Sequence, residues 1–406
     1  MIRNVVTVCD GAGLTGGTEK VAITSAIELA KRGYRSIYFA GEGELFPGFA
    51  TAGVEASTLG LSDAYHTESK RELLSRFFWN GSAGEKFAAL LRSAKLDPAE
   101  TVIHFHGFRR VLSGAVVEAA VESKIKLVLT LHDFGLACPN TTFFNSPHQQ
   151  ICTLKPMSVA CHMSQCTHSG IPMKMMQMGR AWKLKLSKMT EKFDHFIYVS
   201  EFSKNILAPF IPSSTGQTVL YNPVSERQDP IAECEQSDVF SFVGRLSPEK
   251  GGLLFAQAAK KAGVKCQFMG TGLEEEKIRN ANPEAILTGW VSADQVEANI
   301  RASRAVVMPS LWYETAGLSV IEAVSRGIPV IVADKCASVE YMKHDRSGLT
   351  FRSGDVDSLT KALQQMTAQK AKGYGINAYQ DYWQSPLTTE KYMNGLLEIY
   401  DRTVSS

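Results

Sequence analysis

Short runs of β-branched and aromatic residues recur along the chain, and longer stretches between them return an apolar residue every three or four positions. In the first half the runs are NVVTVCD, SIYFAG, TVIHFHG, KLVLTLHD and HFIYVS; in the second they are DVFSFVG, KCQFMG, AILTG, RAVVMPS and IPVIVAD. Runs this continuously apolar predict strands buried on both faces, hence parallel sheets covered by helices. EKVAITSAIELAKRG places Val21, Ile23, Ile27 and Ala30 on one helical stripe and stops at Gly33. GLLFAQAAKKAG, SADQVEANIRAS and GLSVIEAVSRG read as helices of the second half. Two strand clusters of this kind predict an α/β chain with two doubly wound, Rossmann-like domains facing each other across a cleft, rather than one barrel.

The periodicity stops in LYNPVSERQDPIAECEQSD, which predicts a linker at about residues 221–238. The expected division is therefore an N-terminal domain over residues 1–222, a C-terminal domain over 223–378 and a helical segment over 379–406 that packs back on the first domain. An irregular, polar insertion at about 138–170 interrupts the first domain. It holds Cys138, Cys152, Cys161 and Cys166, with His148, His162 and His168 among them. Four such ligands can make a tetrahedral zinc site, but no CxxC spacing supports one, and reduced thiols are the competing reading. After it come Lys174, Arg180, Lys183, Lys185, Lys188 and Lys192, interleaved with Met and Leu. That pattern predicts a cationic amphipathic helix, either lying on an anionic membrane or simply solvated.

Composition narrows the function classes. The chain has 406 residues and a net charge of +2, too near neutral to indicate a nucleic-acid binder. The apolar run at the N-terminus is too short for a signal peptide, and no run is long enough to span a bilayer. Eight cysteines without a secretory signal fit cytosolic thiols or metal ligands before disulfides. The expected location is the cytoplasm, with a peripheral place at the inner face of the membrane as an extension.

Candidate chemistry gathers where strands give way to helices. GAGLTGGTEK follows the first strand, so Gly16 and Gly17 let the backbone approach an anionic ligand at a helix N-terminus. FVGRLSPEKG supplies Arg245 and Lys250 after a strand, two cations suited to a diphosphate. In YETAGLSVIEA, Gly317 and Leu318 open a helix, Glu314 stands just ahead of it and Glu322 lies on it, where a carboxylate can take a ribose diol. TLHDF ends a strand with His132 and Asp133, and IHFHG ends another with His104 and His106. Each of these has a plainer reading as a surface loop or a hydrogen-bonded structural group.

Taken together, FVGRLSPEKG, MPSLWYETAGLSVIEAVSRGIPVIVAD and GGTEK resemble the retaining, nucleotide-sugar-dependent glycosyltransferases of family 4, which have the GT-B fold. TLHD and YVSEFSK extend the resemblance into the first half. The resemblance implies donor binding mainly by the C-terminal domain, a UDP- or GDP-sugar as donor, and no required cofactor or divalent metal. Arg245 and Lys250 then correspond to the pair on the donor diphosphate, Glu314 to the glutamate facing the transferred sugar and Glu322 to the one on the ribose. Gly317 and Leu318 would give backbone contacts, Gly16 and Gly17 the loop over the diphosphate, and His132 the histidine near the reacting sugar. Gly270, Gly272, Trp290 and Val291 would frame the base. Thr315, Ala316 and the Asn222-Pro223 pair depart from the common pattern and loosen any inference about the sugar. The implied partners are the donor and a saccharide or lipid-linked acceptor, with no nucleic acid. A nucleotide-sugar epimerase, a phosphorylase and a catalytically silent nucleotide-sugar binding protein are the alternatives.

Overall fold

The computed structural model describes residues 1–61, 77–224 and 228–405. Residues 225–227 of the expected linker lie outside the described residues. The first half forms a seven-stranded sheet from β1 (Asn4–Gly11), β2 (Arg35–Glu42), β3 (Glu55–Leu61), β4 (Thr101–Phe105) and β5 (Lys126–Leu131), and, beyond a small antiparallel hairpin of β6 (Phe144–Asn145) with β7 (Gln150–Ile151), from β8 (His195–Tyr198) and β9 (Gly216–Val219). The strand order is β3-β2-β1-β4-β5-β8-β9 and every pairing in the sheet is parallel. The second half forms a six-stranded parallel sheet from β10 (Val239–Val243), β11 (Lys265–Met269), β12 (Ile286–Gly289), β13 (Ala305–Met308), β14 (Val330–Ala333) and β15 (Gly348–Phe351). Its order is β12-β11-β10-β13-β14-β15.

In each sheet the chain first winds one way and then reverses, between β1 and β4 and again between β10 and β13. At such a reversal the loops leaving two adjacent strands diverge, and the crevice between them is where open α/β sheets hold ligands.

Burial explains why the central strands form where they do. β4 and β8 are buried at every position, and β1 at all but its first. Val6 and Val8 of β1 face a cluster with Phe87 and Phe105. On the opposite face Cys9 packs with the helix Gly17–Lys31, and Val5 with the helix Thr389–Ser405. That last helix inserts Tyr392, Met393, Leu396, Ile399 and Tyr400 against Val5, Val102, Val128 and Ile197 of the first sheet. The second sheet has its own core, centred on Phe242, Phe255 and Phe268.

The helix Gly17–Lys31 buries Val21, Ala22, Ile23, Ala26 and Leu29, whereas Ile27 and Ala30 of the expected stripe are only half-buried. The inward face is thus rotated toward the small alanines, which let the helix lie close to β1 and β2.

The insertion corrects two expectations. Cys138, Cys152, Cys161 and Cys166 do not assemble: among the described residues no group of three or more His, Cys, Asp or Glu could hold a metal ion. The position between Cys161 and Cys166 is taken by the Lys174 ammonium, 3.9 and 3.1 Å from their sulfurs, and a cation repels a metal. Cys138 bonds instead to Asn140 Oδ1 at 3.3 Å, and burial pushes its thiol up to about 11. The basic helix is Gly170–Leu186, so Lys188 and Lys192 fall beyond it. Lys174 is buried, and Arg180 turns inward over the Phe77 ring at 4.4 Å.

Candidate functional site

The carboxyl ends of the switch-point strands meet across a cleft. From the first sheet, Asp10, one residue before the end of β1, accepts from the backbone N–H groups of Arg110, Val111 and Leu112 at 2.9, 2.9 and 3.0 Å. This draws the loop after β4 over the strand edge. His106 and His132 follow β4 and β5 and share a hydrogen bond of 3.0 Å between Nδ1 and Nε2. Desolvation by burial holds His132 down at about 4, so it is a neutral imidazole near pH 7. His104 is a different case: its two nitrogens are spent on Tyr400 and Thr130, at 2.6 and 2.8 Å, inside the core. Asp133 is held by Arg109 at 2.5 Å.

From the second sheet, the loop after β10 brings Arg245, Glu249 and Lys250 to the same edge as the loop after β13. Lys250 Nζ donates to Glu314 Oε2 at 2.6 Å, and Trp312 Nε1 donates to the same oxygen at 3.2 Å. The ammonium also lies 5.0 Å from the Trp312 ring centroid. Both charged side chains are largely buried, 19% and 13% exposed, which fixes the pair in a medium less screened than water. Arg245 is far more open, 73% exposed, and 3.7 Å from Glu249.

The helix Leu318–Val324 starts at Gly317, whose φ of +82° is in the left-handed region. A Cβ there would fall 2.0 Å from Ser338 Oγ, so the position needs glycine twice over. Gly270 and Gly272 lie where the loop after β11 crosses the loop after β10; a Cβ on either would meet a backbone oxygen, Gly244 O at 2.1 Å or Leu246 O at 2.4 Å.

A cavity of about 690 Å³ joins the two edges. Asp10, His106, Arg109, His132, Arg245 and Trp312 are among its lining residues, and the insertion contributes Asn140, Thr142, His168 and Gln177. The two halves also touch directly. Thr315 Oγ1 donates to His132 O at 3.0 Å, Ser200 Oγ donates to Thr315 O at 2.7 Å, and Tyr313 packs among Phe134, Phe143 and Phe202.

Arg245 and His132 line this cavity, whereas Lys250 and Glu314 are not among its lining residues and are joined to it through Trp312, which is. Gly17 opens the helix Gly17–Lys31, which Gly16 caps, and meets the second half where a Cβ would be 3.4 Å from Leu318 Cδ1. Glu322 lies on the flank, bonded to Lys20 Nζ at 3.1 Å and lining a second cavity of about 440 Å³ with Arg326 and Val224. Trp290 projects outward, 80% exposed, and Val291 is half-buried against the second core. Asp10, Arg109 and Trp312 went unread in the sequence. The Asp-Gly of VCDG at a strand end was the available signal for the first; nothing local marked the other two.

Two doubly wound sheets meeting at their carboxyl edges define the GT-B class. Residues 15–228 match the family described as Glycosyltransferase Family 4, and residues 225–381 match Glycosyl transferases group 1. The chain belongs to Glycosyltransferase Family 4. It is 31% identical over 148 residues to the UDP-Gal:alpha-D-GlcNAc-diphosphoundecaprenol alpha-1,3-galactosyltransferase of Escherichia coli, covering 33% of this chain and 38% of that protein. It is 30% identical over 144 residues to the GDP-mannose-dependent alpha-mannosyltransferase of Mycolicibacterium smegmatis, covering 34% and 37%. The matched stretch therefore spans little more than a third of either relative. Solved structures match over nearly the whole fold. Anabaena HepE in complex with UDP and glucose has a TM-score of 0.67 at 17% identity, covering 97% of this chain and 98% of that one. The sucrose-phosphate synthase of Thermosynechococcus elongatus has a TM-score of 0.70 at 16% identity, covering 99% of each.

Proposed function

We propose that the chain is a retaining hexosyltransferase that moves a sugar from a nucleoside-diphosphate sugar to a saccharide or lipid-linked saccharide, in envelope or exopolysaccharide synthesis. The observation that carries this reading is the Lys250–Glu314 pair, buried at the donor-side edge with Arg245 beside it. Breaking the sugar–phosphate bond leaves negative charge on the β-phosphate. An ammonium fixed beforehand stabilises that charge more than it stabilises the ground state, and the more open Arg245 guanidinium adds a second positive charge. Glu314 orients Lys250 and stands toward the transferred sugar. His132, being neutral, offers a hydrogen bond there without competing for the phosphate charge.

The carboxylates on the cavity wall are already engaged, which favours retention without a covalent glycosyl intermediate. Asp10 holds three backbone N–H groups, Asp133 holds Arg109 and Glu19 faces Arg110 at 3.4 Å. The acceptor hydroxyl then attacks on the face the diphosphate leaves, and the departing phosphate takes its proton. In this reading Gly16, Gly17, Gly317 and Leu318 bring backbone to the donor. Glu322 takes the ribose in exchange for Lys20, and Gly270, Gly272, Trp290 and Val291 frame the base. The positive charge needed comes from Lys250 and Arg245, so the reaction runs without a divalent metal. In this reading the first domain, residues 1–222, holds the acceptor and the second, residues 223–378, the donor.

The relative named for a diphosphoundecaprenol substrate supports a lipid-linked acceptor, and the names UDP-Gal and GDP-mannose leave UDP- and GDP-sugars both open. No helix among the described residues is long and apolar enough to cross a membrane, so the enzyme would meet such an acceptor peripherally. A panel of UDP- and GDP-sugars, read by mass spectrometry of the released nucleotide with and without acceptor extract, tests the reading. Release that needs acceptor and survives a chelator supports transfer. Isomerisation of the donor alone would assign an epimerase, and no turnover with any donor would sink the proposal.

A further inference from the structure

The insertion presents an apolar ridge that no described residue covers. In the helix Gly170–Leu186, Ile171, Met175, Trp182 and Leu186 are 62%, 69%, 41% and 76% exposed. At about 100° per residue they fall within an arc of about 60° on one face. Burial begins directly beside Ile171, at Met178 and Lys174, and continues round to Leu184. The short helix Val159–Met163 adds Val159 and Met163, 81% and 83% exposed. Trp182 joins the two helices, donating from Nε1 to His162 Nε2 at 3.0 Å. Monomeric surfaces seldom expose large apolar side chains in such a row.

The charge around the ridge is one-sided. Residues 134–190 contain six Lys and Arg and no Asp or Glu. Lys183, Lys185 and Lys188 are exposed beside Trp182 and Leu186, and Lys185 Nζ is 5.2 Å from the Trp182 ring. A twofold contact with a second copy would set this patch against itself and bring like charges together, with no acid to relieve them. An anionic bilayer answers both features, taking the apolar side chains into its headgroup–acyl boundary while its phosphates face the lysines.

We infer that this ridge is the surface by which the protein docks on an anionic lipid membrane. Met173 and Gln177, on the opposite face of this helix, line the large cavity with Thr167 and His168, so a docked ridge leaves one helix between that cavity and the bilayer. The use of the contact rests on the transfer reading; the contact itself does not.

Sedimentation with phosphatidylcholine vesicles, with and without phosphatidylglycerol, tests it. The protein is expected to follow the phosphatidylglycerol vesicles and to be released by salt. Met175→Glu combined with Leu186→Glu should lower partitioning at least roughly tenfold, with an unchanged thermal midpoint since both side chains are exposed. Should that variant fail to fold, brominated lipid provides a second readout: it should quench the wild-type tryptophan emission and do so much less in Trp182→Phe. Absence of binding to anionic vesicles, binding indifferent to these substitutions, or a lipid-free dimer that they dissolve would overturn the inference. Donor turnover on the same samples separates the two readings. Vesicle binding without turnover removes the transferase and keeps the surface, whereas turnover without vesicle binding does the reverse.

Discussion

Lys250 and Glu314 are 64 positions apart in sequence and 2.6 Å apart in the fold, with Trp312 closing over them. Removing the ammonium by Lys250→Ala is expected to lower kcat by roughly 10²–10³-fold, the scale of one preorganised electrostatic contact. Some donor affinity should go with it, because the diphosphate is charged before reaction. Glu314→Ala should also act on kcat, while Glu322→Ala should mainly raise the donor KM, as a ribose contact is alike before and during reaction. Steady-state kinetics with the donor identified by the panel separate the three, and near-normal transfer by both folded Lys250→Ala and Glu314→Ala would end the assignment. The histidines give a different signature. Burial holds His104 at about 3 and His132 at about 4, below the ordinary value near 6.5 that they regain on unfolding. Between those limits the unfolded chain binds protons that the folded chain refuses. Their contribution is therefore complete above about pH 6.5 and is lost as pH falls toward 3–4. Urea unfolding from pH 7 to 4 should show a falling midpoint, and His104→Gln should flatten that slope while lowering stability at pH 7, as it disturbs bonds to Tyr400 and Thr130.

At the scale of elements, the left-handed Gly317 decides where the helix Leu318–Val324 begins. Gly317→Ala forces an L side chain into a φ of +82° against Ser338, and should cost about 1–3 kcal/mol in urea unfolding, with a loss of donor binding. The ten strand runs read from the sequence are all present: nine are central strands with apolar runs, and the tenth, β12, is a sheet edge that AILTG still marked. The missed strands have less to show. β3, β9 and β15 are sheet edges. EASTLGL and GQTV are half-exposed and carry few large apolar residues, and GLTF is only four residues long. The hairpin β6–β7 has two residues a side, below any periodicity. The loops at the site were legible one at a time, since each joins a strand to a helix with residues suited to an anion. What periodicity could not reveal was the partner each side chain would find. Lys174 filled the space between two thiols, Lys20 reached Glu322, and Trp312 covered Lys250.

At the scale of the whole molecule, the first sheet is completed from the far end of the sequence. The N–H of Ile2 donates to Asp401 Oδ1 across 399 positions, and the helix Thr389–Ser405 covers one end of the sheet's face. Ending the chain before Thr389 would expose Val5, Val102, Val128 and Ile197 and leave His104 Nδ1 without Tyr400. Soluble yield should collapse, and what remains should bind a hydrophobic dye strongly. A shortened protein that stayed soluble, with an unchanged thermal midpoint, would show that the helix contributes little.

The same contact sets an order of events during synthesis. At about 5–20 residues per second, tens of seconds separate the emergence of β1 from that of the helix that covers it. Over that interval a nascent chain can pair its seven strands but carries a bare strip of valine and isoleucine, open to whatever apolar surface it meets near the ribosome. A chaperone that holds this chain should therefore be released late, when the closing helix has left the exit tunnel, and not when the first sheet has formed.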